Sequence, residues 1–149
     1  METSGKILLV EDDPNDVELT VIALTKNYLA NEIVITRDGE EALEFLYRRG
    51  AHESREAGNP IVVLLDLKLP KVDGLEVLKQ VKSDPALRTI PVVMLTSSRE
   101  ERDLIRSYDL GTNAYVAKPV GFEELVESVK KVGLFWTVVN HPPPGSGER

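Results

Sequence analysis

The chain has 149 residues, of which 42% are hydrophobic and 29% charged, with a formal charge of −7 and no cysteine. That length suits one domain around one hydrophobic core, and the composition is that of a globular protein rather than a disordered or fibrous one. The negative charge opposes the counterion release that drives nucleic-acid binding, and the lack of cysteine leaves oxygen and nitrogen ligands to carry any chemistry.

Short aliphatic runs alternate with helix-like spacing along the whole chain, the pattern of repeated βα units around a parallel sheet. The first strand is expected at 6–11. It runs into Glu11-Asp12-Asp13-Pro14, where Asp13 caps a helix, Pro14 opens it and Asp16 favours the positive end of its dipole. Val17, Val21, Leu24 and Tyr28 then share one helical stripe. A second strand at 32–36 is followed by the stripe Leu43, Leu46 and Tyr47. Residues 48–59 show no apolar period and read as a long surface loop.

The third strand, 61–66, and the fourth, 91–96, are nearly continuous apolar runs, as strands covered on both faces should be, and belong in the middle of the sheet. Between them Leu75, Leu78 and Val81 mark a third helix, preceded by Gly74. A fourth helix at 100–109 has only Leu104, Ile105 and Tyr108 as anchors and stops at Gly111. A fifth strand at 113–117 precedes the stripe Leu125, Val129 and Val132. The single domain is expected to span 1–139, with a disordered, proline-rich tail at 140–149. No apolar stretch reaches the ~20 residues of a membrane helix and no secretory pattern opens the chain, so a cytoplasmic location is expected, with neither membrane nor nucleic acid as partner.

Ligands in open parallel sheets bind at the carboxyl ends of the strands. Glu11 and Asp12 end strand one, Asp66 strand three, Thr96 strand four and Lys118 strand five. Taken singly, each has a bland explanation: an incidental polar residue, a β-branched strand end, a solvated lysine. Gathered at one edge they do not, because mutually repelling carboxylates are costly without a cation. Mg²⁺ suits such oxygen ligands, with Mn²⁺ as an acceptable substitute. Asp12 and Asp66 are expected as direct ligands, Glu11 through water, and the Lys68 carbonyl as a further oxygen. Asp66 would serve as nucleophile in a phosphoryl transfer, with Lys118 and the hydroxyl of Thr96 at the oxygens of the transferred group. A charge arriving there would draw Thr96 inward and open space for the ring of Tyr115.

ILLVEDDP at 7–14, LLDLKLPKVDGLEVL at 64–78, VVMLTSS at 92–98 and AYVAKP at 114–119 resemble, in this order, the receiver domains of two-component response regulators. The resemblance covers about residues 6–131. It implies a flavodoxin-like α/β fold, a doubly wound five-stranded parallel sheet of order 2-1-3-4-5 with helices on both faces. It also implies a sensor histidine kinase as donor, Asp66 as acceptor, Thr96 and Tyr115 as the switch pair, and a cis bond between Lys118 and Pro119. Gly74 would make a tight turn into helix three, and Lys68 and Ser98 stand where this family influences hydrolysis of the phosphoryl group. The loop at 48–59 and Phe135-Trp136 are similar to the small single-domain receivers that serve bacterial phytochrome kinases. Leu134, Phe135, Trp136 and Val138 form an apolar run that suits a homodimer contact.

Two rivals fit less well. An aspartyl-nucleophile phosphatase wants a second acid two residues after the nucleophile, where this chain has Lys68. A nucleotide or flavin module wants a glycine-rich first turn, where this chain has acids.

Overall fold

In a computed structural model of the chain, residues 5–25, 31–96, 100–101, 103, 114–118 and 123 are described, the side chains of Thr96, Ala114 and Ala117 excepted. Five strands, β1 (Ile7–Val10), β2 (Ile33–Thr36), β3 (Val62–Asp66), β4 (Val92–Thr96) and β5 (Ala114–Ala117), form one sheet. All pairings are parallel, in the order β2-β1-β3-β4-β5. Three helices are described between them: α1 (Pro14–Thr25), α2 (Gly39–Tyr47) and α3 (Gly74–Ser83).

The period of two along each strand decides which helix each side chain meets. Leu8, Val10, Val63, Leu65, Val92 and Met94 point to the face covered by α2 and α3, where Leu43, Leu46, Val77, Leu78 and Val81 complete the core. Ile7, Leu9, Val62, Leu64, Val93, Leu95 and Val116 point to the opposite face, against Val17 and Leu24 of α1. Both faces are dry, which is why these strands lack polar alternation. Leu78 is fully buried, and cutting it to Ala would cost about 2–5 kcal/mol.

Asp13 caps α1 as expected, its Oδ1 accepting from the Asn15 N–H at 2.8 Å and the Asp16 N–H at 3.3 Å. Asp38 does the same for α2 and Asp73 for α3. The first four strands each begin one residue later than their sequence patterns predict. Lys6, for example, lies outside β1, although its carbonyl still accepts from the Ile61 N–H at 2.8 Å.

The segment 48–59 is a largely exposed loop, as expected, but it is pinned to α2. It contains a 3-10 turn, Gly50–His52, and the guanidinium of Arg55 lies 4.1 Å over the Phe45 ring while its Nε donates to the Phe45 carbonyl at 2.6 Å. His52 meets the same ring edge-on and approaches Glu41 at 3.1 Å. Arg49 lies 4.8 Å from the Tyr47 ring centre in addition, so the anchors are polar groups and no apolar period announces them.

Tyr28, Ser98, Gly111, Pro119, most of the fourth-helix segment, the stripe Leu125, Val129 and Val132, the run Leu134, Phe135, Trp136 and Val138, and the tail 140–149 lie outside the described residues. Among the described residues no helix is long and apolar enough to cross a membrane.

Candidate functional site

The alternation that builds the core also builds the site. Glu11 continues the Ile7, Leu9 series, Asp66 the Val62, Leu64 series, and Lys118 follows Val116 by two, so all three emerge on the α1 face. Register brings them level: Val10 pairs with Leu65, which sets Glu11 beside Asp66 one residue further on. Lys118 closes the gap from β5, its Nζ lying 3.2 Å from Glu11 Oε1 and 3.2 Å from Asp66 Oδ1. Asp12 is exposed at the rim, and carboxylate oxygens of Glu11, Asp12 and Asp66 all lie within 4.8 Å of one another. The rim opens into a cleft of about 480 Å³ that includes Lys68 and Lys118.

The electrostatics are those of anions held together against their preference. Burial, reinforced by the facing Asp66, pushes the Glu11 carboxyl up from 4.5 to about 7, although the Asp13 N–H and Lys118 pull it down. Burial also raises Asp66, with Asp12 and Glu101 adding to the effect and Lys118 opposing it. Burial disfavours the Lys118 ammonium, but Asp66, Asp16 and Glu11 outweigh it and hold the group above its ordinary value. A divalent cation relieves this strain, and the clustered oxygen donors, partly buried and partly open to water, fit one.

The loop after β3 is fixed at close quarters. A Cβ on Gly74 would lie 2.0 Å from the Asp66 carbonyl oxygen, and the Gly74 N–H donates to the Leu67 carbonyl at 2.7 Å. Gly74 opens α3 at the end of this loop, where the close approach of backbone to backbone adds its own requirement for glycine. Gly39, at the start of α2, faces the Val72 carbonyl in the same way, with no room for a Cβ. Lys71, between them, has a φ of 68° and pairs with Asp38 at 3.9 Å and Glu40 at 3.8 Å.

Of the residues singled out in the sequence, Glu11, Asp12, Asp66 and Lys118 converge. Lys68 stands at the cleft, its Nζ turned to Glu101 at 3.5 Å. Thr96 ends β4, and its backbone lies two residues beyond Met94, the partner of Tyr115. Tyr115 is half-buried against the α2–α3 core.

Two residues were missed. Asp16 carries more than a helix dipole: its Oδ2 lies 3.1 Å from Lys118 Nζ. Glu101 is a buried carboxylate whose charge is felt at Asp66. Asp16 had a local signal, its place in the first turn after the Glu11–Asp12 pair. Glu101 had none.

The family model for the response regulator receiver domain matches residues 7–130. Among curated proteins, the response regulator Rcp1 of Synechocystis is 42% identical over 130 residues, 87% of each chain. A crystal structure titled as the Mn²⁺-bound form of response regulator Rcp1 aligns at a TM-score of 0.72, with 41% identity over 89% of this chain and 94% of that one. The bacteriophytochrome response regulator RtBRR aligns at 0.87, with 58% identity over 98% of this chain and 87% of that one. The phosphorylated cyanobacterial phytochrome response regulator RcpA aligns at 0.73, with 42% identity over 95% and 99%.

Proposed function

The chain belongs to the response regulator receiver family, signalling proteins that pair with sensor histidine kinases, and from that premise we propose that it takes a phosphoryl group onto Asp66 with Mg²⁺ present. The observation that carries the reading is Lys118, whose ammonium touches Asp66 and Glu11 together at the edge of a three-carboxylate group. A lysine so placed neutralises charge where a phosphoryl group would sit.

Asp12 and Asp66 would hold the ion directly, Glu11 through water, with the Lys68 carbonyl as a further oxygen; Mn²⁺ would serve in its place. When bound, the ion supplies charge neutralisation at the transferred oxygens. A carboxylate oxygen of Asp66 attacks phosphorus in line, the P–N bond of a phosphohistidine breaks, and the imidazole leaves with its electron pair. Lys118 and the Thr96 hydroxyl meet the oxygens of the new acyl phosphate. The same groups assist its later hydrolysis.

Thr96 and Tyr115 form the switch pair, supported by the register that sets Tyr115 opposite Met94. The receiver domain spans 1–139. An adjoining cleft of about 460 Å³, lined by Leu67, Leu69, Pro70 and Leu75, shares Asp12 and Lys68 with the acidic rim, which suits docking of a protein donor. The likeness to RtBRR and RcpA supports a phytochrome kinase as that donor, and the run Leu134, Phe135, Trp136 and Val138 supports a homodimer; a cytoplasmic location fits a receiver domain fed by such a kinase.

Incubation with Mg²⁺ and a small acyl phosphate should add one phosphoryl group by intact mass, and none to Asp66→Asn. Many turnovers of the donor without a stable adduct would favour the phosphatase reading instead. For the dimer, truncation after Val132 should lower the mass seen in sedimentation, and an unchanged mass would end that part of the reading.

A further inference from the structure

Lys118 has one more ion pair than the transfer described above uses. Its ammonium meets Glu11 at 3.2 Å, Asp66 at 3.2 Å and Asp16 at 3.1 Å. The first two belong to the carboxylates gathered within 4.8 Å of one another, and Asp16 does not. Asp16 sits on a different element, the first turn of α1, where its N–H is held by Asp13 Oδ1. It is shielded from water, with a side chain 23% exposed against 13% for Lys118, so the contact is screened less than a surface pair.

Occupation of the carboxylate group by a divalent cation changes the balance around the lysine. Glu11 and Asp66 are then shared with a doubly charged ion, which repels the ammonium, and Asp16 is the partner left undivided. We propose that Asp16 is a positioning residue for Lys118: it anchors the ammonium on the α1 side of the rim, so that the lysine stays at Asp66 while the cation is in place. Asp16 lines the same cleft, and in this proposal it acts through the ammonium rather than on the cation or the transferred group. The inference rests on the role given to Lys118 above.

Phosphoryl incorporation from a small acyl phosphate would be timed at saturating Mg²⁺ for the full chain and for Asp16→Asn, Lys118→Ala and the double variant. Mg²⁺ affinity would be measured separately by calorimetry, and melting curves would establish that each variant folds. Asp16→Asn should slow incorporation about tenfold, the scale of one lost charge-assisted hydrogen bond. In the Lys118→Ala background the same substitution should cost nothing further, since there is no ammonium left to place. An equal loss in both backgrounds would overturn the proposal, because Asp16 would then act through the field or the fold. So would a wild-type rate for Asp16→Asn beside a slowed Lys118→Ala. A wild-type rate for Lys118→Ala would instead sink the role of Lys118 on which the proposal rests.

Discussion

The two ends of the sheet treat polar side chains in opposite ways. At the amino end, side-chain donors are matched with main-chain carbonyls: Asn31 with Gly5 at 2.7 Å, Asn59 with Ala86 at 2.9 Å, and Lys82 with Arg88 and Ile90 at 3.1 and 2.8 Å. At the carboxyl end, Glu11, Asp12 and Asp66 face one another beside Lys118, an arrangement that a divalent cation would neutralise. The first arrangement satisfies the backbone and closes the fold. The second stores repulsion that a ligand can release, which separates a structural edge from a chemical one.

The contrast breaks most visibly at Asp66. Asp66→Asn should abolish phosphoryl incorporation, yet without divalent ions its stability should not fall, because a disfavoured buried charge is removed while Lys118 keeps Glu11 and Asp16 as partners. Paired mass spectrometry and denaturant titration would show this.

Glu11 gives the pH signature. Its folded pKa, about 7, lies above the ordinary 4.5, so its contribution to stability is fully present below the lower value and is lost as pH rises through the upper one. The loss is on the order of 3 kcal/mol at most. Denaturation midpoints at about pH 5 and pH 8 should show it without Mg²⁺, and Mg²⁺ should blunt it, since the ion binds the ionised carboxylates.

At the opposite end the expectation reverses. Asn59→Ala should cost about 1 kcal/mol by loss of its bond to the Ala86 carbonyl, with the rate of phosphoryl incorporation unchanged. Smallest of all, Lys68→Ala should change stability by less than about 1 kcal/mol, because that side chain is 81% exposed. A larger loss in a thermal melt would mean that Glu101 depends on it heavily.

Much of this was written in the sequence. Apolar runs named the five strands, and the period of two that buries Ile7, Leu9, Val62 and Leu64 also carries Glu11 and Asp66 onto a common face. Asp16 and Glu101 were harder, since their importance depends on where distant segments land, Lys118 in one case and Lys68 in the other. Arg55 escaped because its anchor is a single aromatic ring rather than a stripe. Gly74 was placed at the start of helix three, but its close approach to the Asp66 carbonyl is a tertiary fact that the sequence does not carry.

That close approach sets the tempo of any response. The main chain from Leu67 to Asp73 is wedged at Gly39 and Gly74, positions that leave no room even for a methyl group. A charge arriving on Asp66 would meet main chain closely packed at both ends of that loop, so the first movement would fall to the long, exposed arm of Lys68, while Lys118 stays among its three carboxylates. Such side-chain rotations run in picoseconds to nanoseconds, ahead of any loop motion. The molecule would register its new charge first as a swing of the Lys68 ammonium, with slower rearrangements reading where it comes to rest.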